Sequence, residues 1–268
     1  PSPADSNTDS MNALVASLLA LGLMLGMLFL LELGRRLGQR RLHLDPEGAR
    51  AGTGTVESAV FALLGLLIAF TFSGAASRFD LRRDLIVKET NAIGTAYLRL
   101  DLLPASVQPA LRDLFRHYVD ARLATYHKVP DLEAVQAEML KADQLQGEIW
   151  IQAIAAGRME GAPPAATMLL LPALNDMIDI TTTRTMATKI HPPLTIFVML
   201  FGLALASALL AGYGMASGKT RNWLHMLGFA TAMAIVVYVI LDLEFPRLGL
   251  IRVDAFDQAL VELRASMK

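Results

Sequence analysis

Apolar residues run almost unbroken through four stretches of this 268-residue chain. Each is close to the length, about 20 residues, that a helix needs to cross the hydrocarbon core of a bilayer. The first, Asn12 to Leu31, reads NALVASLLALGLMLGMLFLL and closes at Glu32 and Arg35-Arg36. It is too long for a signal-peptide core and lacks that segment's basic start and cleavage site. The second is Val56 to Ala76. The third, Leu194 to Tyr213, follows His191-Pro192-Pro193, and proline suits a helix start because its missing N–H costs nothing there. The fourth, Trp223 to Leu243, opens on an interfacial aromatic and is closed by Asp242, Glu244 and Pro246. A soluble core helix can be this apolar once. Four such stretches predict a polytopic membrane protein.

Between the second and third spans the pattern turns amphipathic and stays helical, with no strand-like alternation. Pro104, Pro109, Pro130 and Pro163-Pro164 punctuate it. Leu111, Leu114, Tyr118 and Tyr126 share one helical face, and Arg116 with Asp120 is expected as an i,i+4 pair on another. Asp131 to Met159 predicts a second helix. Pro164 to Lys189 predicts a third, kinked at Pro172 and able to run on into the third span. At the chain's end Phe256, Leu260, Leu263 and Met267 form an apolar stripe behind Asp254, the expected N-cap. The expected division is therefore residues 1–10, disordered or an expression remnant ahead of Met11; 11–77, spans one and two; 78–191, a helical extramembrane insert; 192–245, spans three and four; and 246–268, a C-terminal amphipathic segment.

The stretch IAFTFSGAASRFDLRRDL, residues 68–85, passes from lipid-like sequence into charge without a helix breaker. One helix is expected from Val56 to about Leu102. At 100° per residue, Ser58, Ala62, Gly65, Ala69, Ser73 and Ala76 line one side, small enough for close helix approach in a membrane. Beside them lie Phe61, Ile68, Phe72, Ala75 and Phe79, while Leu63, Leu67 and Phe70 point away. Repeated round an axis, Ile68 and Phe72 would form an apolar constriction, and Arg82 and Arg83 a positive collar beyond it. The plainer alternative is ordinary helix packing, with the arginines snorkelling or paired to Asp80 or Asp84. Glu57 at the other mouth argues against pure anion preference.

Composition narrows the field. The chain is 54% hydrophobic and 18% charged, with mean hydropathy +0.44, too oily for a soluble domain and too charged for spans alone. A formal charge of -1 offers no concentrated basic surface for nucleic acid. Cysteine is absent, so disulfides and cysteine-bound metals are excluded. GYGMASGKT, residues 212–220, ends like a phosphate loop, but Tyr213 stands where that loop needs glycine. His43, His117, His127, His191 and His225 show no metal-ligand spacing, and no nucleophile or paired carboxylates suggest catalysis. The chain is thus expected not to be an enzyme and to need no cofactor or metal. The loop from Arg35 to Thr55 carries five arginines against two acids, and the 214–222 loop carries Lys219 and Arg221. The positive-inside rule makes both cytoplasmic and turns the insert and the termini outward.

Three segments carry a resemblance. LLGLLIAFTFSGAASRFDLRRDLIVKETNAIGTAYLRLDLLP (64–104), LLPALNDMIDITTTRTMATKIHPP (170–193) and LDLEFPRLGLIRVDAFDQAL (241–260) are similar to the bacterial bestrophin-like membrane proteins. The resemblance implies kinship with true bestrophins, pentameric anion channels whose second span forms an Ile-xxx-Phe-xxx-Phe neck. Ile68 and Phe72 match the first two positions and Ala76 stands at the third. The acidic calcium clasp of animal bestrophins has no counterpart in the scattered Asp242, Glu244, Asp254 and Asp257. The same kinship implies a cytoplasmic insert, opposite to the charge count. Within the family-like segments, Glu89, Asn91, Thr95 and Arg99, with Asn175, Asp176, Asp179 and Arg184, are expected to form an ion vestibule, a ligand site or a buried network that holds a bundle together.

The expectation is therefore an all-α, homo-oligomeric ion channel of four or five subunits in the bacterial inner membrane, passing small anions such as chloride. Its partners would be itself, lipid and small inorganic ions. Phe61, Ile68, Phe72 and Phe79 are the candidate pore and gate. Glu57, Arg82, Arg83, Glu89, Asn91, Arg99, Asn175, Asp179 and Arg184 are the candidates for selectivity or vestibule. A cation channel, or a non-conducting sensor or scaffold whose insert binds a partner, is the alternative.

Overall fold

The computed structural model describes residues 3–45, 53–129, 131–218, 220–247 and 249–268. Pro130, Lys219 and the part of the first basic loop that holds Arg50 lie outside the described residues. Among those described, the chain is helical throughout: α1 (Pro3–Leu44), α2 (Thr53–Arg99), α3 (Gln108–His127), α4 (Leu132–Gly157), α5 (Pro164–Lys189), α6 (Leu194–Gly214), α7 (Trp223–Glu244) and α8 (Asp254–Ser266). Segments of α1, α2, α6 and α7 are long and apolar enough to cross a membrane. The chain is a membrane protein.

α2 is one unbroken helix of 47 residues followed by a 3-10 turn, Leu100–Leu102, ahead of Pro104, as the absence of any earlier proline dictates. Inside its apolar half the Thr71 hydroxyl bonds back to the carbonyls of Leu67 and Ile68, at 2.8 and 3.0 Å, so that hydroxyl is not left unpaired. α1 departs from expectation at its start. It begins at Pro3 rather than at Asn12. Proline is tolerated in the first turn, and no further proline or glycine interrupts the residues up to Met11. α5 stops at Lys189 and does not run on into the third span. Ile190 is extended, and Pro192-Pro193 disfavour helix in the residues before them. α4 is capped by the Asp131 carboxylate, which accepts the Ala134 N–H at 3.0 Å. α8 starts at Asp254 itself, which puts the N-cap at Val253.

The chain divides into two compact units. One comprises Arg78–Ile190 and Pro246–Lys268. Its core is built from Ile93, Leu100, Phe115, Tyr118, Ile149, Leu174, Met177 and Leu260, all buried, drawn from α2, the 3-10 turn that follows it, α3, α4, α5 and α8. Gln146 of α4 donates to the Tyr118 hydroxyl and to Thr181 of α5, each at 3.0 Å, so the polar atoms of that core are paired. The expected Arg116–Asp120 pair does not form. Arg116 bonds Asp113 and the carbonyl of Lys268, while Asp120 takes both nitrogens of Arg264 at 2.7 and 3.0 Å, because the C-terminal helix packs beside α3.

The other unit comprises Met11–Ser77 and His191–Phe245. Its buried residues are mostly small or aliphatic: Ala20, Leu23, Met27 and Leu31 on α1, Leu200, Ala204 and Ala208 on α6, and Ala230 and Val237 on α7. Glycine sets the closest contact. A Cβ on Gly34 would stand 2.0 Å from the Leu209 carbonyl oxygen, and one on Gly212 would stand 2.0 Å from that of Leu31. Gly38 meets Ala216 and Tyr213 in the same way. Backbones of α1 and α6 therefore touch along a small-xxx-small seam, where packing rather than hydrophobicity drives association.

Candidate functional site

The membrane half of α2 buries little. Leu64 and Ala75 face inward, while Ser58, Ala62, Gly65, Ala69 and Ser73, the side of small residues, are exposed. Phe72, at the edge of that side, is 45% exposed, and Ile68 is half-buried. A phenyl ring open to its surroundings on an apolar helix beside a strip of alanine, glycine and serine is available for a second helix or a shared axis. Phe61 is committed differently: its ring meets Phe229 of α7 edge-on at 5.7 Å. Glu57 is half-buried, and its carboxylate lies 3.0 Å from where a Cβ on Gly214 would stand, so it packs on the end of α6.

The two expected collar arginines part company. Arg82 is buried, at 7% exposure, and donates to the carbonyls of Ala187 and Ile190 at 3.3 and 3.1 Å. It satisfies the carbonyl end of α5, which Pro192-Pro193 prevent from continuing. Arg83 lies over the Phe256 ring at 4.2 Å, with Phe79 at 5.5 Å, and pairs with Asp80 at 3.1 Å.

The polar positions also divide. Asn91, Asn175 and Asp179 are exposed, and Arg99 bonds the carbonyl of Leu169. Glu89 and Arg184 are buried and belong to one network. The Glu89 carboxylate, fully buried, takes Arg122 at 2.6 Å and also Arg184. Arg184 reaches on to Asp257 at 3.0 Å, which is also held by Arg247 at 2.8 Å. The Tyr126 ring sits under Arg184 at 3.6 Å. Burial disfavours the Arg122 charge, but Tyr126 and Glu89 outweigh it and raise its pKa. Three guanidinia and two carboxylates thus pin α2, α3, α5 and α8 together. Arg122, Tyr126, Arg247 and Asp257 escape sequence reasoning because no local pattern links them to Glu89.

A model of the Bestrophin-like domain matches residues 39–255. The chain belongs to the bestrophin-like family. Its fold agrees with two crystal structures of a bacterial bestrophin homologue from Klebsiella pneumoniae, both 14% identical to it. One, a tryptophan-to-alanine variant, has a TM-score of 0.61 and covers 92% of this chain and 98% of that one. The other, a tyrosine-to-alanine variant, has a TM-score of 0.52 and covers 91% and 99%. Among curated proteins no sequence matches significantly. The bestrophin-like domain thus takes in α2 and its exposed strip whole, together with every member of the Glu89 network apart from Asp257.

Proposed function

We propose that this bestrophin-like protein is an ion channel of the bacterial inner membrane, assembled from four or five copies round an axis lined by α2. It conducts small anions and performs no catalysis. The observation that carries the reading is Phe72: 45% exposed on its own chain, in the middle of an apolar span, beside an exposed strip of small residues. Ile68 and Phe72 would be the rings that gate by dewetting, with Phe79 further along the same helix. Family membership supports a channel, since bestrophins are anion channels. Arg83 supplies positive charge beyond the neck.

Cation selectivity is a second reading, favoured by one observation. With Arg82 withdrawn, Asp80 and Asp84 stand exposed on α2, paired to Arg83 and Lys88 at 3.1 and 2.7 Å, and no net positive excess remains at that level. Reversal potentials of the purified protein in bilayers under asymmetric KCl decide by sign. A potential toward the chloride equilibrium value is expected, one toward potassium gives the second reading, and no current under any voltage or pH removes the channel altogether.

A further inference from the structure

The α1–α6 seam brings the turn after Gly34 against the loop that leads to α7, and a cleft of about 500 Å³ opens there. It is lined by Glu32, Arg35, Gln39, Thr220, Arg221 and Trp223. An adjoining cleft of about 400 Å³ shares Arg35 and Thr220 and adds Asn222 and His225. None of these residues takes part in the channel reading.

Arg35 is the unusual member. Only 6% exposed, it lines both clefts, and one of its terminal nitrogens donates to the Gly218 carbonyl at 3.0 Å. Its Nε is buried and has no hydrogen-bond partner among the described residues. A buried guanidinium with an idle donor is costly unless an anion meets it. The one carboxylate of the cleft is already taken: Glu32 accepts Arg36 at 2.9 Å and Arg221 at 2.9 and 3.3 Å. In the lining one carboxylate stands against two arginines, Arg35 and Arg221, and the balance is positive.

Thr220 and Gln39 add a hydroxyl and an amide to the same walls. Trp223, 53% exposed at the first turn of α7, is placed as interfacial tryptophans are, at the level of lipid headgroups. Guanidinium forks match phosphate oxygens in shape and charge. We propose that this cleft binds a phosphate group, carried by an anionic lipid headgroup or present as the free ion. Arg35 and Arg221 are its charged ligands, Thr220 and Gln39 its neutral donors, and Trp223 stands beside the acyl chains.

The chain's two tryptophans make the test direct. Trp150 packs against the core of the other unit, so Trp150→Phe leaves Trp223 as the sole fluorophore. The full chain in maltoside detergent is titrated with phosphatidylglycerol, with uncharged diacylglycerol of the same acyl chains, and with sodium phosphate. A saturable change with phosphatidylglycerol, none with diacylglycerol, and at least a tenfold rise in the half-saturating concentration in Arg35→Gln and in Arg221→Gln is expected. Saturation by sodium phosphate as well assigns the site to the free ion; saturation by the lipid alone assigns it to the headgroup. An equal response to diacylglycerol, no response to either phosphate compound, or unchanged titrations in the arginine variants overturns the proposal. Arg221 is half exposed, so its variant decides the matter even where Arg35→Gln fails to fold, with helicity by circular dichroism as the control.

Discussion

Phe72 is 45% exposed on its own chain, so truncating it removes only part of an internal contact. Phe72→Ala should fold normally and raise ion leak through proteoliposomes severalfold; unchanged flux in that variant takes Phe72 out of the gate. Glu89 is the opposite case. Glu89→Gln leaves Arg122 and Arg184 buried without their counter-charge, and thermal unfolding in detergent should show a loss of about 3–5 kcal/mol. Tyr126 adds a pH dependence. Burial first, then the Glu89 carboxylate, push its hydroxyl up to about 12. The folded protein therefore keeps a proton that the unfolded chain gives up near its ordinary value of about 10. That contribution to stability is whole below about pH 10 and is lost as the pH rises to about 12. Unfolding midpoints recorded across that window should fall, and Tyr126→Phe should flatten the fall. At this scale the sequence was only partly readable. Helical phase cannot tell Arg82 from Arg83, because what separates them is the end of α5, which lies 105 residues away in the chain from Arg82.

Elements were more legible than residues. An apolar stretch of bilayer length has few alternatives to a helix, and a charged continuation without proline has no reason to stop, so the four spans and the full reach of α2 follow from pattern. Asp131 as a cap is equally local. The meeting of α1 with α6 was not foreseen, although Gly34 and Gly38 carry the small-xxx-small spacing. Such spacing is common in membrane helices, and only the partner's Gly212 and Ala216, far along the chain, give it meaning. Gly212→Val places a side chain where the Leu31 backbone stands. It should cost about 1–3 kcal/mol or more, read as a lowered unfolding temperature in detergent, while Gly202→Ala, with open space at its Cβ, should cost little.

For the molecule as a whole, the exposed strip on α2 asks for company. Leu63, Leu66 and Phe70 are exposed as lipid contacts would be, but Ala62, Gly65, Ala69 and Ser73 offer the close approach that copies of the chain need. Native mass spectrometry of the detergent-solubilised protein should give a ring of four or five; a dimer leaves no central axis for Phe72 and sinks the channel reading. The subunit number was never readable in the sequence, because it depends on the angle between neighbouring copies and not on any one helix. The glycine seam has a mechanical consequence. Each of Gly34 and Gly212 sits in a notch of the opposite main chain, which blocks both sliding and rotation. A displacement of α1 therefore carries α6 with it, and a movement within this unit has to be taken up by its other helices.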